Sequence, residues 1–328
     1  MNLIQQVIDP TGDGLHLRES ILWFDSVAQG DLSFVSRVPE NAAGYSSKVL
    51  ATEVTLRLIE NQSKKPKGLI CQFNRPFSIG RLKMELLPSG YGLGAASLFV
   101  ETGNHTKLLY APRLLLEKNS SVREIQLKKA DILILGAESP EPQATNPNRK
   151  KEKERLIEAI RDLVARGIYP IVLCKNYPLA QEITKLITDQ KIPLAVHDSI
   201  FKVNRIYENH NSDLGNYNLF RPKKTRNKVV LYPSVTKRRL RSFPPEGPVL
   251  SIEETAEEQT TPDPFQKIEG RFFISSICDS KDLKEVIARV DAKTVCFFGP
   301  YAKRHTDYFK SENRSTFGLY PNHQPTLL

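Results

Sequence analysis

Apolar and polar residues along this 328-residue chain follow two different periods, and the change from one to the other divides the sequence. Up to Gly136, apolar positions recur at every second place in short runs, the spacing of half-buried strands. Residues 3–8, 15–17, 20–24, 31–36, 69–73, 82–87, 97–100 and 107–110 read as strands, with turns at 11–14 and 102–104. Residues 49–58 read as a strand running into a helix. The run 130–135, Ala-Asp-Ile-Leu-Ile-Leu, is almost continuously apolar, which marks a strand covered on both faces.

Beyond a Pro, Gln and Asn-rich linker at 139–148 the period becomes helical. Residues 150–166 carry Leu156, Ile157, Ile160, Leu163 and Val164 on one side and stop at Gly167. A strand at 168–173, a second amphipathic helix at 177–190 and a strand at 192–196 follow, an alternation that argues a parallel α/β unit with right-handed crossovers. Residues 209–218 read as a polar loop and 228–232 as a strand. Residues 242–266 are rich in Pro, Glu and Thr, which predicts an extended, flexible connection. Strands at 271–275, 294–298 and 316–320 and helices at 280–290 and 302–309 close the chain, with no internal repeat.

Composition narrows the class. Hydrophobic residues make up 40% and charged residues 26%, a globular balance with length for one large or two ordinary domains. Four cysteines without C-x-x-C spacing suggest reduced, buried thiols. No apolar run reaches the roughly 18 residues of a membrane span, and the start lacks a signal-peptide layout. The expectation is a soluble, cytoplasmic protein with no membrane partner. The net charge of +10 is local. Arg221, Lys223, Lys224, Arg226, Lys228, Lys237, Arg238, Arg239 and Arg241 form a block without an acid, leaving 10 − 9 = +1 for the rest. Residues 246–263 hold six acids and no base.

Candidate chemistry is sparse. Residues 88–96, Pro-Ser-Gly-Tyr-Gly-Leu-Gly-Ala-Ala, form a tight turn before a strand. Their spacing matches neither the dinucleotide nor the P-loop fingerprint, and no helix follows to receive a phosphate. His16, His105, His197, His210, His305 and His323 show no metal-ligand spacing. No nucleophile elbow is present. The residues themselves reveal no catalytic machinery, no cofactor and no metal site.

The order of motifs nevertheless resembles the metallo-β-lactamase-fold nucleases of the β-CASP group, which include mRNA 3′-end processing factors and ligase-associated exonuclease-like proteins. The resemblance rests on Leu87–Ala96, Leu108-Leu-Tyr-Ala-Pro-Arg113, Ala130–Leu135 and Leu179-Ala-Gln-Glu-Ile183, and extends through residues 280–299. It implies an α/β fold: an αββα sandwich from 1–145 and 268–328, a smaller inserted α/β cap at 146–242, and a flexible acidic loop at 243–267. The departures fall on the family's metal ligands. Its first signature, S-H-x-H-x-D-H, meets Ser36-Arg37-Val38-Pro39-Glu40-Asn41-Ala42, so that Arg37, Pro39, Asn41 and Ala42 stand where ligands would. Tyr91 replaces the histidine of the glycine turn, Arg113 the bridging aspartate and Gly136 the acid ending the fourth strand. Ile277 and Phe298 replace the late histidines. The resemblance therefore implies a catalytically inactive homologue without a two-metal site.

Such a protein is expected to bind nucleic acid or to serve as a subunit. Nine cations can neutralise phosphates, Tyr232 and Phe243 could stack on bases, and Lys150, Lys151 and Lys153 could assist. Expected partners are RNA or DNA, and an active nuclease paralogue or a second copy of the chain. Two readings compete: a protein-only scaffold, and a hydrolase rebuilt on Glu40, Tyr91, Arg113 and Glu138. The acidic stretch could also fold over the basic block and compete with nucleic acid.

Overall fold

The computed structural model describes residues 3–11, 14–26, 31–39, 48–63, 66–175, 177–222, 224–234, 247–254 and 268–320. They form an α/β protein whose chain divides into two compact units. The first comprises 1–118, 123–145 and 277–328; the second comprises 119–122 and 146–276.

The first unit holds two sheets whose inner faces share one core. One sheet runs in order through β1 (Ile8–Thr11), β2 (Gly14–Leu17), β3 (Leu22–Phe24), β4 (Leu32–Phe34), β5 (Lys48–Ala51) and β6 (Lys67–Ile70). It is antiparallel up to β3 and parallel beyond it. The other has the order β19 (Ser315–Leu319), β18 (Thr294–Phe298), β11 (Ile132–Gly136), β10 (Lys107–Ala111), β9 (Ala96–Glu101), β8 (Leu82–Pro88) and β7 (Phe77–Ile79). Its β10–β11–β18–β19 half is parallel.

Alternation decides which side each residue serves. Leu108, Tyr110, Ile132 and Ile134 join Leu15, Leu17, Phe24, Phe34 and Leu50 between the sheets. Leu109, Ala111, Leu133 and Leu135 point the other way, against Leu283, Val286, Ile287 and Val290 of α6 (Ser280–Val290) and Ala302 of α7 (Ala302–Tyr308). The continuous apolar run at 130–135 is thus a strand with helices on one face and a sheet on the other. On the far side of the first sheet, α2 (Glu53–Gln62) lies over Gly68, where an added Cβ would stand 2.6 Å from Leu56. Gly68 pairs with Val49, whose neighbour Leu50 faces the shared core, so α2 covers the opposite face.

The second unit is an all-parallel sheet in the order β14 (Asn218–Leu219), β13 (Leu194–Val196), β15 (Val229–Pro233), β12 (Ile171–Cys174), β16 (Val249–Glu253) and β17 (Ile268–Phe273). Helices α3 (Arg149–Ala165), α4 (Leu179–Asp189) and α5 (Asp198–Asn209) pack on one face through Leu156, Ile160, Ile183 and Ile200. A buried charge cluster ties α3 to α4: Glu182 accepts from Arg149 at 2.6 Å and pairs with Lys153 at 2.5 Å. Arg149 also donates to the Ser275 carbonyl beyond β17.

Four sequence expectations change. Residues 3–7 are a short helix, α1 (Leu3–Val7), because Ile4 and Ile8 at i, i+4 both reach the core. Residues 198–209, given no element, form α5. The flexible loop expected over 243–267 contains β16, whose Val249, Leu250 and Ile252 are buried. Residues 268–273, assigned to the first domain, are the strand beside it, and the second unit runs on to Ser276. Among the described residues no helix is long and apolar enough to cross a membrane.

Burial alone would push the Glu182 carboxyl up, but Arg149 and Lys153 outweigh it and hold the group below the usual glutamate range. A depressed carboxyl stabilises the fold above its unfolded pKa of about 4.3 and loses that contribution as pH falls through the folded value. Glu182→Gln removes the buried carboxylate that Arg149 and Lys153 share and should cost about 3–5 kcal/mol at neutral pH. Urea unfolding of both proteins across pH checks this: the gap between them should narrow on acidification.

Candidate functional site

The parallel strands of the first unit end together, and carboxyl ends of parallel strands are where α/β folds build clefts. A cavity of about 380 Å³ opens there, lined by Asp25, Ser36, Arg37, Pro39, Tyr110, Pro112, Gly136, Glu138, Phe298, Gly299 and Pro300. Its volume falls within the roughly 300–1,000 Å³ of ligand pockets.

The floor is a buried acid. Asp25, in left-handed backbone at φ 45°, follows β3, and Ser36 follows β4. Asp25 accepts from the Ser36 amide at 2.7 Å, the Ser36 hydroxyl at 2.6 Å and the Tyr110 hydroxyl at 2.9 Å. Burial pushes its carboxyl above the usual aspartate range, against those bonds and the nearby Arg37 guanidinium.

Beside this floor sits an Arg–Glu–Tyr cluster. Arg113, after β10, donates through Nε to Glu138 Oε1 at 3.0 Å, and its second terminal nitrogen meets Oε2. Its other terminal nitrogen donates to the Tyr91 hydroxyl at 3.0 Å, and the guanidinium lies 5.0 Å from that ring's centre. Arg37 reaches the same carboxylate at 3.7 Å and donates to the Val38 carbonyl at 3.2 Å. Ile277 joins Arg113, Gly136 and Glu138 around a smaller adjoining hollow.

Three glycines fix this geometry. A Cβ on Gly136 would stand 2.0 Å from the Pro112 carbonyl oxygen, which is backbone. Gly90 and Gly94 take positive φ, and a Cβ on either would strike the Leu115 carbonyl or Val54. The Gly94 carbonyl accepts from the Thr52 and Thr55 hydroxyls at 2.7 and 2.9 Å, anchoring the glycine turn to the start of α2. The turn serves close packing and presents the buried Tyr91.

The structure therefore gathers Arg37, Pro39, Tyr91, Arg113, Gly136, Ile277 and Phe298, seven positions far apart in sequence, around Glu138. Asn41 and Ala42 lie outside the described residues, as does Glu40. Asp25 and Tyr110 escaped the sequence reading; the one available signal was a lone acid directly after an apolar strand. Among the described residues no group of three His, Cys, Asp or Glu converges as metal ligands. A two-metal centre does not fit this set: a guanidinium repels a dication, and Gly136 has no side chain to offer. The cysteines form no disulfide and are buried, and burial raises Cys71 to about 11 and Cys174 and Cys296 further. None is poised as a nucleophile.

In the second unit Arg221, Lys224 and Arg226 are exposed, and Lys228 donates to Asn218. Lys223, Lys237, Arg238, Arg239, Arg241 and Phe243 lie outside the described residues. Tyr232, expected to stack on bases, is buried in β15 against His197 at 4.5 Å. Lys153 is committed to Glu182, leaving Lys150 and Lys151 exposed. Two acids of the supposed covering loop, Glu253 and Glu254, are buried partners of Arg271 and Lys175 and unavailable to the basic block.

No family model matches the sequence. A protein of Opitutus terrae named "Probable DNA ligase" is 21% identical over 222 residues, covering 67% of this chain and 22% of the relative. An uncharacterised protein of Synechocystis is 29% identical over 152 residues, covering 42% of this chain and 27% of its own. The chain thus spans about a quarter of the length of the curated relatives it matches. A crystal structure of a protein of unknown function from Enterococcus faecalis V583 aligns with a TM-score of 0.61 at 12% identity, over 89% of this chain and 80% of that one. That likeness is one of fold.

Gly136→Ala should destabilise the protein by about 1–3 kcal/mol or more, since the clash is with backbone. It should also loosen the Arg113–Glu138 pairing by parting the ends of β10 and β11. Urea unfolding measures the first effect, and the side-chain Nε resonance of Arg113 reports the second.

Proposed function

We propose that this chain is a non-catalytic relative of the metallo-β-lactamase-fold, β-CASP-type nucleases that binds nucleic acid in a processing assembly. The observation carrying the reading is the Arg113 guanidinium, clasped by Glu138 and Tyr91, at the position where the resemblance places a metal-bridging carboxylate. Two facing sheets with helices outside, and a parallel α/β unit inserted between residues 145 and 277, are in keeping with that family. The ligase-named relative supports a nucleic-acid context. On this reading the Arg113 guanidinium, neutralised by Glu138, fills the space a metal-bridging carboxylate would take, and the protein contributes binding in place of hydrolysis. Phosphates would meet the exposed Arg221, Lys224 and Arg226, with Lys223, Lys237, Arg238, Arg239 and Arg241 of the same block.

Metal analysis of the purified chain should find no stoichiometric ion, and nuclease assays with manganese or zinc should find no turnover. Two bound metal ions with cleavage would overturn the reading. Anisotropy with labelled RNA and DNA oligonucleotides should show binding that weakens with salt. Reversing Arg221, Lys224 and Arg226 to glutamate should lower the slope of log affinity against log salt by roughly three. An unchanged slope would remove the basic block from the interface.

A further inference from the structure

We propose that the cavity above Asp25 receives a single unpaired nucleobase, and that it favours a base carrying an exocyclic amine. The proposal rests on the nucleic-acid reading above and names what that same site takes.

The walls select a flat ligand. Pro39, Pro112 and Pro300 contribute pyrrolidine faces and Phe298 an aromatic one, while Gly136 and Gly299 leave bare backbone. A planar ring can slide between such surfaces and stack, and stacking tolerates any base. The charges select a neutral one. Glu138 pairs with Arg113 and lies 3.7 Å from Arg37, so an anionic group brought to the Arg37 guanidinium would also meet the Glu138 carboxylate. Within a nucleic acid, the planar neutral part is the base.

The polar groups at the site can read its edge. Arg113 takes both oxygens of Glu138, so Arg37 is left with a 3.7 Å contact to that carboxylate, one bond to the Val38 carbonyl and a place 5.9 Å from the Tyr91 ring centre, none of which uses up its remaining N–H donors. A guanidinium has five N–H donors, and a carboxylate roughly four lone-pair sites. Arg37 therefore offers donors directly beside acceptor capacity remaining on Glu138, and both side chains are about a quarter exposed. A carboxylate accepts from an amine such as cytosine N4, and an adjacent guanidinium donates to ring nitrogen or carbonyl acceptors. Uracil can offer Glu138 only its ring N3–H, leaving one carbonyl for the guanidinium, so it makes one contact fewer than cytosine, whose N4 amine meets Glu138 while N3 and O2 both face Arg37.

The test uses the full chain with cytidine, uridine and labelled hexacytidylate. Cytidine should shift the backbone amides of Gly136 and Gly299 and bind about tenfold tighter than uridine. Phe298→Leu, which keeps an apolar side chain, should weaken cytidine about tenfold by removing the aromatic face. Arg37→Gln, at the mouth, should abolish the preference for cytidine over uridine, and it serves as the test should the Phe298 variant fail to fold. Hexacytidylate binding with no response at Gly136 and Gly299, and equal affinity in the variants, would overturn the pocket and leave the nucleic-acid reading standing. Cytidine binding in the pocket without hexacytidylate binding would uphold the pocket with a free nucleoside as its occupant and sink the nucleic-acid reading. Absence of both would overturn both.

Discussion

The candidate site depends on one close approach, the backbone of Gly136 against the carbonyl of Pro112. Strands β10 and β11 run parallel and pair residue by residue from Leu108 with Ile132 to Ala111 with Leu135. Beyond that register the chains would normally part. The missing side chain at Gly136 lets them remain together for one residue more, and Arg113 and Glu138 leave the strand ends face to face. A guanidinium and a carboxylate brought together by backbone in this way surrender little side-chain entropy on pairing. The ion pair is a consequence of strand geometry more than its cause.

From that contact the electrostatics of the cavity follow. Glu138 is satisfied by Arg113, which Tyr91 holds from the far side, so the second guanidinium, Arg37, is only loosely engaged. Asp25 answers it from below with a carboxyl that burial drives toward its neutral form while three donors and Arg37 favour the charged one. The result is a pocket with polar edges in which each guanidinium has the Glu138 carboxylate beside it, unlike the exposed cations of the second unit, which suit phosphates.

Much of the fold was legible in the sequence, for reasons that also explain the gaps. The run at 130–135 announced its burial on two faces because no position there needed to be polar. Helices α3 and α6 showed complete apolar stripes, the latter with a capping box at Asp279 and Asp282. Helix α5 did not, because its buried face includes Asn204 and Tyr207. Asn204 belongs inside through its bond from Gln181 at 3.0 Å and its bond to the Thr184 hydroxyl at 3.4 Å, both partners on another helix. Strand β16 was hidden by its neighbours' composition, since Pro and Glu dominate the window around it while Glu253 itself is buried and paired. At the site, motif order located Arg37, Tyr91, Arg113 and Gly136, but Asp25 is defined by Tyr110, 85 residues away. Local pattern carries no trace of such a bond.

The same geometry bears on whether a metal site could be built at these positions. Introducing one ligand would not suffice, because Gly136 and Arg113 are each held by their neighbours. Any side chain at Gly136 must first move the Pro112 carbonyl, which means opening the β10–β11 pairing at its end. An acid in place of Arg113 would set a carboxylate against Glu138 and strip the Tyr91 hydroxyl of its donor. Like charges at that separation favour protonation of one of them over capture of an ion unless further ligands arrive together. The arrangement is coupled, so intermediates between it and a metal centre pay twice, in backbone strain and in unpaired charge. That coupling opposes stepwise change at Arg113 and Gly136 and favours keeping both as they are.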